Sequence, residues 1–217
     1  MTGPSPRSTV RRGAARAAYD RDSVHAILDA GFLCHLGVVV DGAPRVIPTC
    51  YGRDGDVLLL HGSTGSRSVR ESAQPVDICV AVTHVDGLVL ARSALHHSVN
   101  YRSVVVHGRA TRVAGDTAKL HALEVITDHV VPGRWAGIRK PDAKELAATA
   151  VLALSLGEAS AKVRSGPPVD DPEDADLAVW AGVVPLRTIQ GAPQPDPLQA
   201  AMGLDLPDHA RSWRRPG

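Results

Sequence analysis

Three Asp-Gly dipeptides, Asp41-Gly42, Asp54-Gly55 and Asp86-Gly87, place the tightest limit on what this chain can fold into. Each stands between apolar, β-rich runs, and a two-residue turn of this type is the strongest short-range hairpin signal. The first two join residues 32–40, 44–51 and 56–61 into an antiparallel meander. The third joins 76–84, a continuous apolar run predicted to be buried on both faces, to a return strand at 88–93. Residues 101–113 are long and β-rich, and Gly108 within them predicts a bulge or a close backbone approach. No βαβ alternation occurs, which excludes a doubly wound sheet. Open edges on such a meander invite association, and closure into a small barrel removes them. The predicted fold is mainly β, an antiparallel barrel with peripheral helices.

The helical signals are local. Asp20 or Asp22 caps a helix whose Val24, Ile27 and Leu28 share one face, and Gly31 ends it. A short helix is predicted over 66–73, before Pro75. Asp116 is the predicted cap of a helix with Leu120, Leu123, Ile126 and Thr127 on one face, ended by Pro132-Gly133. Pro141 and Asp142 start another through Ala148. A strand is expected at 151–156, a turn-rich loop at 166–176, and a last strand within 177–189 ending at Pro185. About eight strands result. Residues 1–18 are small, polar and basic, a composition that predicts disorder. The expected division is a disordered segment at 1–18, one domain at 19–190 and a Pro-rich, irregular tail at 191–217.

The charge is nearly balanced, 24 Lys and Arg against 23 Asp and Glu, so nothing draws the chain to nucleic acid or an anionic membrane. No apolar run is long enough for a membrane helix, and the N-terminus has no apolar signal core, so a cytoplasmic protein is expected. Cys34, Cys50 and Cys79 sit in strand-like runs without Cys-x-x-Cys spacing and read as reduced hydrophobes. The histidines show no zinc spacing, and His96-His97, as neighbours on a strand, point opposite ways. No metal site is expected.

Chemistry concentrates at residues 58–71. A short apolar run breaks at His61-Gly62 into Ser63, Thr64, Gly65, Ser66 and Arg67. Backbone N–H groups, hydroxyls and a guanidinium after a strand can cradle a phosphate. It is not a P-loop, because no Gly-Lys-Ser/Thr follows. The plain alternative is a solvated turn with a capping serine. His61 could bind phosphate, face a substrate, ligate haem iron, or be a satisfied polar residue.

Taken in order, these segments resemble the split barrel of the pyridoxamine 5′-phosphate oxidase-like superfamily, and within it the flavin-nucleotide-binding, nitroimidazole-resistance branch. The carrying residues are Asp41-Gly42-Ala43-Pro44, Ile47-Pro48-Thr49-Cys50-Tyr51, Leu60-His61-Gly62-Ser63, Gly65-Ser66-Arg67, residues 86–93 and 100–108, and Trp180-Ala181-Gly182-Val183-Val184-Pro185. The resemblance implies a homodimer with FMN in clefts at its interface. It places Val46, Pro48, Thr49 and Tyr51 beside the flavin ring. His61, Ser63, Gly65, Ser66 and Arg67 would stand at the phosphate, and Tyr101, Arg102, Ser103 and Trp180 close to the cofactor, the first three from either subunit. His61 and Tyr101 are the candidate proton donors. The implied activity is electron or hydride transfer from a donor such as a nicotinamide to a small acceptor, nitroaromatics among them. Haem, with His61, His96 or His107 as ligand, a deazaflavin (F420), or a purely flavin-binding or sensing role are the alternatives. The Arg-Leu ending of true pyridoxamine 5′-phosphate oxidases has no counterpart here, so that oxidation is not implied.

Overall fold

In the computed structural model, which describes residues 4–65 and 75–213, six strands close into an antiparallel barrel. They are β2 (Leu33–Val40), β3 (Ala43–Asp54), β4 (Val57–Ser63), β5 (Val76–Leu90), β6 (Ser98–Arg112) and β7 (Thr149–Ser155). The ring runs β6-β7-β4-β3-β2-β5 and returns to β6. β8 (Ala159–Arg164) and β1 (Ala17–Ala18) extend it from β6, and β9 (Gly182–Pro185) extends it from β5. Leu36, Val38, Val40, Tyr51, Leu58, Leu60, Val80, Val82, Val104, Val106 and Leu154 fill the interior. This is the split β-barrel expected from the meander and its resemblance.

The first two Asp-Gly turns behave as predicted. Asp41 and Gly42 both take positive φ, 53° and 74°, as a type I′ hairpin requires, and Gly55 takes 55°. The third does not. β5 runs through Asp86-Gly87 as one strand, with a register shift between Val85 and Gly87. β9 explains it: a Cβ on Gly87 would stand 3.0 Å from Val183 and 3.1 Å from the Val184 carbonyl oxygen. The glycine serves strand approach rather than a reversal. Gly108 is likewise a close approach, since its Cβ would meet Leu154 at 2.8 Å while the β5–β6 register continues past it.

α1 (Arg21–Ala30) starts where the Asp20 carboxylate accepts the Ser23 N–H at 2.8 Å, and buries Val24, Ile27 and Leu28. α2 (Asp116–Val130) has Gly115 rather than Asp116 as its cap residue, and lies across β3 and β4 on the outside of the barrel. Its Ile126 backbone rests on Gly52, where a Cβ would stand 2.8 Å from Ile126 Cα. α3 (Ala143–Ala148) carries a full capping box between Asp142 and Glu145. The helix predicted at 66–73 lies outside the described residues. β8 was not expected: its Ala-Ser-Ala-Lys-Val-Arg sequence is too small and polar to read as a strand. The final strand is confined to β9.

The chain ends are structured where described. Arg7 bridges Asp77 and Glu158, Ser8 is buried, the Val10 N–H donates to the Tyr19 hydroxyl, and β1 pairs with β8. The tail forms α4 (Pro197–Met202) and α5 (Asp208–Arg211), and the Trp213 indole donates to the Val130 carbonyl at the end of α2. Among the described residues no helix is long and apolar enough to cross a membrane. Gly52→Val should push α2 off the barrel and cost about 1–3 kcal/mol, seen as a lower urea midpoint with an unchanged slope.

Candidate functional site

β3 and β4 part company. They pair from Asp54↔Val57 to Tyr51↔Leu60, and there the ladder stops. Continued, it would set Cys50 opposite His61 and Pro48 opposite Ser63. Beyond the fork, among the described residues, β3 pairs with β2 alone and β4 with β7 alone.

Strand parity shows which groups face the gap. The Tyr51 N–H donates to the Phe32 carbonyl, so odd residues of β3 bond toward β2 and even ones face the fork. Pro44 and Pro48 occupy two of those even positions and carry no N–H. Val46 and Cys50 therefore supply the outward N–H groups of β3. On β4, the Thr64 N–H bonds back to Ala148, so odd residues face the fork, and His61 and Ser63 present theirs to it. The gap is lined by two backbone edges that are unpaired among the described residues, a built-in receptor for the polar rim of a flat ligand. On the same outer face, Leu33, Val39 and Val46 stand 48%, 60% and 69% exposed, beside Pro44 and Pro48.

His61 projects beside Val151, its cross-strand partner on β7. The ring keeps solvent access, yet the protein around it disfavours its charged form, and desolvation lowers its pKa from the ordinary value. It makes no hydrogen bond among the described residues and stays neutral near pH 7. Ser63 Oγ accepts the Gly65 N–H at 3.2 Å, and Thr64 is tied to Ala148 by backbone and hydroxyl. Ser66 and Arg67, the rest of the expected cradle, lie outside the described residues.

Val46, Pro48, His61, Ser63 and Gly65 thus gather at the fork, whereas Thr49, bonded toward β2, and Tyr51 turn away from it. Tyr51 is fully buried, and its hydroxyl donates to the Leu28 carbonyl at the end of α1. His84 and His129 bond the neighbouring Ile27 and Gly31 carbonyls, each at 2.9 Å. Three ring side chains thereby satisfy the end of α1 and fix the base of the fork. Tyr101, Arg102 and Ser103 lie elsewhere, on β6 between β5 and β8. Arg102 grips Asp86 through two bonds of 3.0 and 2.9 Å, and Ser103 donates to the Lys162 carbonyl. Trp180 is 66% exposed just before β9. His96 is held by Asp171 at 3.0 Å, and that bond raises its pKa. His107, half-buried on β6, has no hydrogen-bond partner among the described residues. The sequence reading missed the Cys50 N–H, although prolines four apart on one edge, at 44 and 48, mark a strand edge left open.

The family model for pyridoxamine 5′-phosphate oxidase matches residues 20–163. The flavocytochrome Anf3 from Azotobacter vinelandii is 42% identical, with 98% of this chain and 99% of that one covered at a TM-score of 0.91. An FAD- and haem-binding protein from Mycobacterium smegmatis is 40% identical, with 92% and 98% covered at 0.86. A candidate 5-nitroimidazole antibiotic resistance protein from Bacteroides thetaiotaomicron shares the fold at 19% identity and a TM-score of 0.57, over 68% of this chain and 86% of that one. No curated protein matches.

The two perturbed histidines should titrate in opposite senses by NMR. The folded chain takes up the His61 proton later than the unfolded chain, with a midpoint below 6.5, so acidification through that unfolded value costs stability. His96, raised by Asp171, has a midpoint above 6.5; its stabilisation is present at low pH and lost as pH rises through the folded value.

Proposed function

The chain belongs to the pyridoxamine 5′-phosphate oxidase family, and from that premise we propose that it is an electron-transfer protein holding a flavin and a haem and working as a homodimer. What carries the reading is the pair of near full-length matches whose names state flavocytochrome and FAD with haem. FAD is favoured over FMN because FAD is the flavin named there.

The fork fits such a flavin. Its outward N–H groups, from Val46 and Cys50 on one edge and His61 and Ser63 on the other, suit the acceptors of an isoalloxazine rim. Val46 and Pro48 give the ring an apolar floor, and the Ser63 N–H and hydroxyl, at the end of β4, open a phosphate cradle that the sequence continues into Ser66 and Arg67, while Thr64 and Gly65 spend their donors on Ala148 and Ser63. For haem, His61 and His107 are preferred over His96, which Asp171 keeps occupied and favours in its protonated, non-ligating form. When bound, the flavin would trade electrons in pairs with a small donor or acceptor, and the haem would pass them singly.

The chain's own part is to bind, orient and exclude water. Backbone donors at the fork favour negative charge on the flavin rim. Neutral His61 is a proton acceptor at the cleft. The apolar face over β2 and β3 is open in one chain, and a second copy laid on it would close the cleft against water. Tyr101, Arg102, Ser103 and Trp180, remote from the fork of their own chain, would then come from the partner. The reactants to test are a nicotinamide donor and a small acceptor, nitroaromatics included.

The absorption spectrum of the purified protein tests this. Flavin bands together with a sharp haem band are expected. Replacing His61 or His107 by Ala should abolish the haem band in at least one case. Arg67→Ala should weaken flavin retention roughly tenfold or more, as for one charge-assisted bond of about 1.5–3 kcal/mol. A protein that takes up neither group, in a preparation reconstituted with both, contradicts the reading and returns the cofactor to a deazaflavin.

A further inference from the structure

At the end of β6 away from β7 a cation-lined cleft stands open. Arg164 closes β8 and is 7% exposed. Its guanidinium donates to the Asn100 side-chain oxygen and, more distantly, to the backbone oxygens of Gly166 at 3.4 Å and Pro167 at 3.3 Å. All three acceptors are neutral. An arginine keeps its charge when buried, and a buried charge calls for an opposite one. Among the described residues no carboxylate reaches it. Asp170 is held by the Arg92 backbone and guanidinium at 3.0 and 2.8 Å, and Asp171 by His96.

Beside Arg164 lies a cleft of about 240 Å³ that Arg16 and Ser165 also line, with Val163, Pro167 and Val169 as its apolar walls. Arg16 is exposed, and its side chain has no hydrogen bond or ion pair among the described residues. Lys162, on the same strand, adds positive charge while its ammonium donates to the Arg12 carbonyl at 2.8 Å. The cleft is therefore lined by two arginines, a serine and a greasy wall, with no acid among the described residues.

We propose that this cleft binds a small organic anion, a carboxylate or a phosphate monoester, with its acid group between Arg16 and Arg164 and its apolar body against Val163, Pro167 and Val169. Within one chain it is separate from the fork. Tyr101, opposite Arg164, and Thr111, opposite Ala153 of the fork-side strand β7, are about 33 Å apart along β6.

Calorimetric titration of the protein as purified, with phenyl phosphate, benzoate and inorganic phosphate, tests it. Saturable binding of phenyl phosphate or benzoate, one per chain and tighter than inorganic phosphate, is expected. Arg16→Gln, a change at an exposed position, should weaken it roughly tenfold or more with the melting temperature of the free protein unchanged. Arg164→Lys, which keeps the charge and loses the planar fork, should weaken it too. Repeating the titration on cofactor-stripped protein separates the sources. Binding in both forms identifies a free anion, and binding only after stripping identifies an acid group of the cofactor itself. No saturable binding in either form, or binding that Arg16→Gln leaves intact, overturns the proposal.

Discussion

Pro48 cannot donate a backbone hydrogen bond, and much of this molecule follows from that. Facing Ser63 in a continued ladder, it would leave a carbonyl of β4 without its donor, so the two strands, once parted after Tyr51↔Leu60, have no complete pair to rejoin at Pro48. Pro44 repeats the device two positions on from Val46. An edge that would otherwise be a template for any passing strand is reduced to two outward N–H groups, at Val46 and Cys50. Among the described residues the other strands of the ring stay paired, and the long opening at the fork is therefore a selective one.

An opening is useful only if its rim stays put. The base of the fork is clamped from inside by Tyr51, whose hydroxyl caps α1, and from outside by α2, whose backbone lies on Gly52. His84 and His129 complete the cap, and His129 packs against the Tyr51 ring at 4.8 Å. The tail reinforces the same corner, with Trp213 edge-on to Phe32 and bonded to Val130. Three of the chain's seven aromatic residues, Phe32, Tyr51 and Trp213, meet at this corner.

Much of the barrel was legible because its turns are local chemistry. Asp41-Gly42 needs positive φ at both positions and announces its hairpin. Asp86-Gly87 looks the same in sequence but differs in space, because β9, a hundred residues later, packs on the glycine; that contact is invisible to a local reading. β8 escaped notice because its small, polar residues gain their strand conformation from β6 and β1 rather than from propensity. At the site, the residues around His61 and Ser63 were readable as a strand that breaks into hydroxyls and glycine. Tyr51 was not readable as an internal anchor, since only the approach of α1 gives its hydroxyl a partner. The arginine cleft was hidden for the same reason: Arg16 and Arg164 meet only through the pairing of β1 with β8.

The central claim is that the open edges of β3 and β4 receive the cofactor. Amide hydrogen exchange of the flavin-stripped and flavin-loaded protein tests it most directly. The account predicts slowed exchange on loading at Val46, Cys50, His61 and Ser63, whose N–H groups face the fork, with little change at the odd residues of β3, already bonded to β2. Protection that falls elsewhere on the barrel and leaves those four amides exchanging as before would contradict it.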